Sequence, residues 1–286
     1  MDLKDSEATL LFLFMACSYA LNYPILKIAF TMEPPLVVLF YRILFALVSS
    51  FPFLVFKLKE FPVRHGDNVV VLLVSMLNIV GFMGLWFIGE SMVSASLSSI
   101  LVYTYPLFNV LLSVIFIREK PGKGTIAGMI IGFIGVIMVA SANVYLNGYL
   151  GVVLLIVSAL SWAAGTAVFK KKTAHIDVRT INVLQYAYSL PVILVLTYVV
   201  GGSPFSGLTP EFIGVGLYLG LVGTYVPYLI YLILFRNYSI SKISPYFFII
   251  PAISVVFSSI LLGERISLLT ASGFAVISFG VFLSNR

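Results

Sequence analysis

Charge is scarce in this sequence of 286 residues. Asp, Glu, Lys and Arg make up 10% of it and hydrophobic residues 60%, whereas soluble domains are about 25% charged and about 45–50% apolar. A water-soluble fold of this size cannot bury so much apolar surface, because too much of the chain stays at its surface. The composition therefore excludes an ordinary soluble enzyme, a nucleic-acid-binding domain and a disordered chain. It predicts an integral membrane protein.

Cysteine and the common catalytic motifs are also nearly absent. Cys17 is the only cysteine, which excludes a disulfide framework and a metal site built from several cysteines. His65 and His175 lie far apart, so no metal site is predicted. The sequence has no His-Glu-x-x-His, no Gly-x-Ser-x-Gly and no phosphate-binding Gly-Lys loop. We therefore expect no enzyme activity, no cofactor and no nucleic-acid partner, and an intramembrane enzyme is a weak alternative.

Long apolar segments recur along the whole sequence. A helix that crosses about 30 Å of hydrocarbon needs roughly 20 mostly apolar residues. Breaks rich in Gly, Pro, Asn and Asp separate the segments. Ten spans are predicted, at residues 8–30, 34–56, 68–89, 92–117, 124–143, 149–169, 178–200, 210–235, 238–262 and 267–284.

Lys and Arg in short loops predict the orientation of the spans, because cytoplasmic loops carry an excess of both residues. If the N-terminus lies inside, nearly all Lys and Arg of the loops fall on the cytoplasmic side. The outer side then receives only Lys27 and Arg265, and Arg42 lies within a span. This bias predicts a protein of the plasma (cell inner) membrane with both termini cytoplasmic.

The sequence also contains a duplication. Four landmarks recur at a spacing of 145 residues, namely Pro106 and Pro251, Glu119 and Glu264, Gly128 and Gly273, and Gly135 and Gly280. The two predicted units, residues 1–145 and 146–286, hold five spans each. Because five is odd, the second unit enters the membrane from the opposite side. Inverted repeats of this kind are typical of secondary transporters, which bind substrate near mid-membrane between the repeats.

The repeat landmarks carry a resemblance to a known family. The stretch from Pro251 through Gly280 contains Gly263-Glu264-Arg265 before a glycine-rich last helix. With the ten spans, it resembles the EamA type of the drug/metabolite transporter superfamily. The first copy is looser, because Arg118-Glu119-Lys120 stands where the family has Gly-Glu-Arg. The resemblance implies export of amino acids, other metabolites or drugs. It also implies a cavity lined by spans one, three, four, six, eight and nine, with Trp162 and Tyr228 at family Trp and Tyr positions.

Several polar side chains lie deep in the predicted spans. A polar group left alone in hydrocarbon costs several kcal/mol, so these side chains are expected to face the bundle interior. Packing between helices is the alternative to a role in substrate binding. The candidate cavity residues are Asn22, Asn78, Tyr103, Trp162, Tyr186, Tyr228 and Tyr231.

Arg42 is the ionisable candidate within a span. Intramembrane charge is costly and suggests function by default, and a guanidinium can bind a substrate carboxylate through two hydrogen bonds. Alternatively, Arg42 extends outward or pairs with Glu33, Glu90 or a helix-end carbonyl. No Asp or Glu lies deep in a predicted span, so flux is expected to be passive or coupled without a buried carboxylate.

Prolines and interfacial carboxylates are the candidate hinges and gates. Pro106 and Pro251 lie near the middle of their spans, where proline kinks a helix, and Pro245 adds a second break. Glu119 and Glu264 end their spans beside an arginine and are predicted to anchor or latch helix ends. A stripe of small residues in the fifth and tenth spans indicates close helix packing, within one monomer or to a second copy.

These features predict an all-α carrier with ten transmembrane helices, arranged as two inverted five-helix repeats around a central cavity. It exports or equilibrates small metabolites by alternating access. Amino acids with aromatic or bulky neutral side chains are favoured, because the interior is aromatic and nearly uncharged. The alternatives are a lipid flippase or scramblase and a carrier of another metabolite or drug class. The expected partners are a small-molecule substrate and the lipid bilayer, and both a monomer and a homodimer are open.

Overall fold

The computed structural model describes residues 5–56, 65–118, 120, 122–141, 149–205 and 208–284. These ranges form ten helical segments, each of which begins and ends within three residues of a predicted span. They are α1 (Asp5–Ala29), α2 (35–56), α3 (65–91), α4 (95–117), α5 (Lys123–Ser141), α6 (Tyr149–Lys172), α7 (178–201), α8 (210–237), α9 (240–262) and α10 (Leu268–Ser284).

Helix length and composition fit a membrane-spanning bundle. Within the described ranges, 6 helices are long and apolar enough to cross a membrane, and they belong to α1, α3, α4, α6, α7 and α8. The other four segments contain shorter apolar helices, at Pro35–Ser49, Ile126–Gly135, Tyr246–Leu262 and Leu268–Gly280. The predicted fold class, an all-α membrane protein with ten helices, is confirmed.

The sequence specifies several helix ends locally. Asp177 accepts hydrogen bonds from the backbone N–H groups of Arg179 and Thr180 at the start of α7, and Thr209 caps α8 in the same way. Such caps satisfy N–H groups that have no partner inside the helix. At the other end of α9, Gly263 has φ 66°, a left-handed conformation that glycine adopts without strain.

Several of the described helices contain a tighter or wider turn. A π-helical stretch lies inside α3 at Met76–Gly81 and inside α8 at Leu221–Tyr225, and the two stretches begin 145 residues apart. Two more end α4 and α7, at Ser113–Ile117 and Thr197–Gly201. Helix α4 breaks at residues 103–104 before Pro106, and α9 contains the 3₁₀ stretch Ser244–Phe248 before Pro251. Irregular turns of this kind leave backbone N–H and C=O groups without their usual partners in the helix. Side chains of other helices can then bind these backbone groups.

Two lysines show that the repeats are inverted. Lys27 of α1 donates from Nζ to the carbonyl of Glu90, near the end of α3, at 2.5 Å. Its counterpart, Lys170 of α6, donates to the carbonyl of Phe235, near the end of α8, at 2.7 Å. The Lys27 contact lies at the end of the bundle that contains residues 90–96 and 263–267, which we name the Glu264 end. The Lys170 contact lies at the end that contains residues 170–178 and 235–244, which we name the Lys170 end. The same contact at opposite ends is what an inverted repeat produces.

Equivalent helices of the two repeats also pack in equivalent pairs. Helix α1 packs on α9 as α6 packs on α4, and α2 packs on α8 as α7 packs on α3. Helices α5 and α10 pack on each other. Their small residues make this contact close: a Cβ added at Gly135 would lie 2.7 Å from the carbonyl oxygen of Gly273. The small-residue stripe therefore packs within the monomer.

Two buried asparagines join the halves at the π-helical stretches. Asn22 of α1 donates from Nδ2 to the carbonyl of Gly223 in α8 at 2.9 Å. Asn78 of α3 lies against Gly165 of α6, where an added Cβ would fall 1.9 Å from its Oδ1. Gly165 follows Asn22 by 143 residues and Gly223 follows Asn78 by 145. The first repeat therefore supplies both asparagines and the second repeat both glycines, at equivalent positions of the two repeats.

Gly165→Ala is expected to lower the melting temperature of the purified protein. The added methyl overlaps Asn78, and overpacking of this kind costs about 1–3 kcal/mol. Gly84→Ala is the matched control, because a Cβ at Gly84 meets nothing within 4 Å and both changes raise helix propensity equally. An equal melting temperature for the two variants, measured in detergent, would contradict this account of the Asn78 contact.

Candidate functional site

A central cavity lies between the two halves. Its volume is about 10 Å³, roughly the space that one water molecule needs, so the helices must move apart to admit a metabolite. Helices α1, α2, α3, α4, α6 and α8 contribute to its wall. The lining residues are Tyr19, Tyr23, Arg42, Phe82, Met83, Trp86, Tyr103, Trp162 and Tyr228.

Stacked aromatic rings close this cavity. Trp162 of α6 is sandwiched between Phe82 of α3, with ring centroids 4.4 Å apart, and Tyr105 of α4, 4.0 Å away. Both rings lie nearly parallel to the indole, at 14° and 20°. Tyr19 of α1 meets Trp162 edge-on at 6.3 Å. The wall is therefore largely aromatic, with Tyr19 of α1, Phe82 of α3 and Trp162 of α6 in mutual contact around Trp162.

Arg42 supplies the positive charge of the lining. It is 1% exposed, donates from Nε to Thr224 Oγ1 at 2.6 Å and from Nη2 to the carbonyl of Gly223 at 3.0 Å. Its guanidinium lies 5.1 Å from the ring centroid of Trp86, a cation–π distance. Nη1 is buried without a hydrogen-bond partner. Arg42 therefore does not extend outward: it bonds a hydroxyl and a backbone carbonyl of α8, and its Nη1 is left without a partner.

Four predicted site residues lie outside the lining. Tyr186 donates to Asn182 Oδ1 at 2.8 Å, and Tyr231 shares a hydrogen bond of 2.5 Å with Thr166 while its ring lies 5.3 Å from Trp162. Asn22 and Asn78 face the glycines described above. These side chains join helices around the cavity, whereas Arg42, Tyr103, Trp162 and Tyr228 border it.

Five lining residues were not among the sequence candidates: Tyr19, Tyr23, Phe82, Met83 and Trp86. The duplication contained a signal for three of them. Tyr19 precedes the candidate Trp162 by 143 residues, and Met83 and Trp86 precede the candidates Tyr228 and Tyr231 by 145. Phe82 has no such signal, because one phenylalanine in an apolar span resembles the others.

Glu90 corrects the expectation that no carboxylate is buried. It lies one residue beyond the predicted end of the third span, yet it is 0% exposed, because the short connection 92–94 folds α4 over the end of α3. Ser98 donates to Glu90 Oε2 at 2.9 Å, and the Trp86 indole N–H donates to the same oxygen. Glu90 Oε1 is buried without a partner.

A second carboxylate closes the Glu264 end. Glu264 Oε1 accepts from the N–H of Ala95 at 2.8 Å, and Oε2 accepts from the N–H and hydroxyl of Ser96 at 2.9 and 2.6 Å. An acidic side chain at a helix N-terminus binds unpaired N–H groups and the positive end of the helix dipole. This contact joins the α9–α10 connection of one half to the start of α4 in the other.

Of the other predicted hinge and gate residues, the three prolines lie at the breaks of α4 and α9. Glu119 lies outside the described residues. Pro106 begins the second part of α4, and Pro251 lies in the first turn of the α-helical part of α9. Pro245 falls in the 3₁₀ stretch of α9. Both broken helices therefore carry their breaks next to predicted prolines.

A groove opens at the Lys170 end. Its volume is about 340 Å³, and Phe247 of α9 lies between it and the cavity wall. The Phe247 ring contacts Phe12 at 5.5 Å, Tyr105 at 5.6 Å and Tyr231 at 5.7 Å. The residues lining the groove are Ala8, Thr9, Phe12, Leu234, Tyr238, Ile243 and Tyr246.

Inverted halves, broken helices and a cavity between the repeats together define a secondary membrane transporter. The EamA-like transporter family model matches residues 7–141 and again 149–286. The chain therefore belongs to the EamA-like transporter family, of the drug/metabolite transporter superfamily.

Curated relatives agree with this class, and a solved structure shares the fold. The chain is 28% identical to "Uncharacterized transporter YvbV" of Bacillus subtilis, over 99% of this chain and 93% of that protein. It is 26% identical to "Uncharacterized inner membrane transporter YedA" of Escherichia coli K12, over 92% and 85%. A solved crystal structure shares the fold with a TM-score of 0.74 at 14% identity, covering 98% of this chain and 96% of its own.

Proposed function

We propose that the protein carries small neutral amino acids with aromatic or bulky apolar side chains, by alternating access. The observation that supports this most is the buried Arg42, which lines a cavity with aromatic walls and whose Nη1 has no hydrogen-bond partner. A guanidinium binds a carboxylate strongly when both are desolvated, and aromatic faces bind apolar side chains. A substrate with one carboxylate and one apolar group fits both features, whereas a polyanion would need further cations.

Alternating access follows from closures of different kinds at the two ends. The Glu264 end is closed by hydrogen bonds between Glu264 and the start of α4. At the Lys170 end, the Phe247 ring packs between Phe12 of the groove and Tyr105 and Tyr231, which contact the lining residue Trp162. Rocking of the two repeat units, residues 1–145 and 146–286, would release one closure while the other holds. The broken helices α4 and α9 are the hinges in this scheme.

The membrane and orientation follow from sequence and relatives. The protein is a multi-pass membrane protein, and one relative is named an inner membrane transporter. We place this chain in the same kind of membrane with both termini cytoplasmic, since the predicted loops on the side of Lys170 carry most of the loop Lys and Arg in the sequence. The groove at that end then faces the cytoplasm.

A ligand screen tests the substrate class. A ligand that binds the folded state raises its melting temperature, so phenylalanine, tryptophan and leucine should each stabilise the purified protein. Phenethylamine, which lacks the carboxylate, should not. Counterflow of radiolabelled phenylalanine into proteoliposomes should follow. Stabilisation by phenethylamine alone would contradict the Arg42 assignment, and scrambling of labelled lipid without counterflow would favour the lipid flippase.

Trp162→Ala is expected to reduce phenylalanine counterflow about tenfold or more, since it removes an indole that lines the cavity and an aromatic pair with the substrate ring contributes about 0.5–1.5 kcal/mol beyond its buried area. The matched control is Phe279→Ala, because Phe279 of α10 is 54% exposed and lies away from the cavity. Normal counterflow by a stably folded Trp162→Ala protein would remove Trp162 from the site.

A further inference from the structure

Glu90 is a titratable group that the proposed substrate site does not use. It is fully buried, and both of its hydrogen bonds converge on Oε2, from Trp86 and Ser98. Oε1 is buried with no partner. A buried carboxylate whose second oxygen is unbonded has an open position for a proton.

The repeat comparison shows that the fold does not need this carboxylate. Lys27 and Lys170 make equivalent contacts with the ends of α3 and α8 by donating to backbone carbonyls. The position equivalent to Glu90 is Phe235, an apolar residue near the end of α8, where the equivalent lysine contact forms without a carboxylate at this position. Burying a carboxylate is costly, so its presence in only one half points to a role other than holding the helices.

The surroundings link Glu90 to the cavity. Lys27 of α1 and Arg42 of α2 are the cations that face it, and Tyr23 of α1 also faces it. Helix α4 contributes the Ser98 hydroxyl, and α6 packs neutral groups, Leu155 and the Gly151 carbonyl, on the neighbouring Gly89. From the α9–α10 connection, Glu264 faces Lys27.

Trp86 connects the two sites directly. Its ring borders the cavity beneath the Arg42 guanidinium, 5.1 Å away, and its indole N–H binds Glu90. An ionised Glu90 attracts the same guanidinium that a substrate carboxylate would bind. Protonation of Glu90 therefore leaves Arg42 free to hold the substrate, and by reciprocity a bound substrate carboxylate favours the protonated form.

We propose that Glu90 is a proton-binding site and that the protein moves one proton together with each substrate carboxylate. In the step, a proton from water forms an O–H bond at Glu90 Oε1 on one side of the membrane. The same bond breaks, returning the proton to water, after the cavity opens to the other side. No substrate bond changes. The coupling rests on the proposed function, whereas the proton site itself does not.

The proton site can be observed without a substrate. Infrared difference spectra of the purified protein between high and low pH should show the C=O band of a buried protonated carboxyl. The band should be missing in Glu90→Gln and present in Glu211→Gln, a control at an exposed carboxylate in the first turn of α8. Ser98→Ala, which removes one donor to Oε2, should keep the band and move its pH midpoint. A wild-type protein without a titrating band would overturn the proton site.

The coupling is tested in proteoliposomes with phenylalanine as the probe. A gradient of one pH unit, acidic outside, can drive about tenfold accumulation when one proton accompanies one substrate. Wild type and Glu211→Gln should accumulate phenylalanine and acidify the lumen, which a trapped pH dye reports. Glu90→Gln should retain counterflow at equal pH and lose the accumulation.

The outcomes separate the two proposals. Equal gradient-driven accumulation by wild type and Glu90→Gln would overturn the coupling while leaving the carrier intact. Absence of phenylalanine counterflow in wild type would overturn the proposed substrate, and the infrared band would still decide whether Glu90 binds a proton. Melting curves and gel filtration test whether Glu90→Gln is folded. If it is not, a moved pH midpoint of the band in Ser98→Ala identifies Glu90 as the titrating carboxyl, and an unchanged midpoint overturns that assignment.

Discussion

Replacing Arg42 by glutamine is expected to abolish measurable phenylalanine counterflow. Hydrogen bonds to charged groups contribute about 1.5–3 kcal/mol each, so losing the guanidinium that faces the cavity should weaken substrate binding by roughly 10- to 100-fold. The variant also loses the bonds to Gly223 and Thr224. The melting temperature should therefore fall in parallel, and both quantities are measured on the purified protein.

Two further variants separate binding from stability. Thr224→Val removes the partner of Arg42 Nε but leaves Nη1 at the cavity, so it should lower the melting temperature while phenylalanine still stabilises the protein. Arg42→Lys keeps the charge as a compact ammonium without the planar guanidinium, and it should bind substrate weakly. If Thr224→Val abolished stabilisation by phenylalanine while Arg42→Gln preserved it, Arg42 would be a structural residue only.

Glu264→Gln should open the Glu264 end. The carboxylate accepts three hydrogen bonds from Ala95 and Ser96, and a neutral amide accepts through one oxygen and has no charge to offer the helix dipole. Amides at the start of α4 should exchange with deuterium at least about tenfold faster, as expected for a loss of about 1.5 kcal/mol or more. Hydrogen-exchange mass spectrometry of the segment 92–98 measures this.

Glu211→Gln is the control for this prediction. Glu211 is an exposed carboxylate near the N-terminus of another helix, α8, so the same chemical change there should leave exchange in 92–98 unaltered. If Glu264→Gln also left this segment protected, the contact would not hold the end closed. Faster exchange confined to the Glu264 end, with the Lys170 end unchanged, is the result that alternating access requires.

The duplication was the most informative feature of the sequence, because its spacing also relates local structures other than the landmark residues that revealed it. The spacing of 145 that links Pro106 and Pro251 also links the π-helical stretches of α3 and α8. The spacing of 143 links Lys27 and Lys170, which make the same contact at opposite ends. Equivalent sequence positions thus adopt equivalent local structures, although no span shows a π-helical turn in its hydropathy.

Only part of the candidate site could be predicted from the sequence. Depth in a span identifies polar residues that must face protein, and the structure places Tyr103, Trp162 and Tyr228 around the cavity. Depth does not distinguish a cavity wall from a helix contact, so Asn22 and Asn78 could not be separated from them. Their partners are glycines, whose role is visible only when two helices are seen together.

The sequence by itself determined the membrane class, the ten helices and their duplication, because the length and spacing of apolar runs act locally along the chain. Only the tertiary structure decided the chemistry of the interior. Arg42 meets Thr224 across 182 positions, and Glu90 becomes buried because α4 folds over the end of α3. Such burial depends on how separate helices pack, which a pattern within one helix cannot specify.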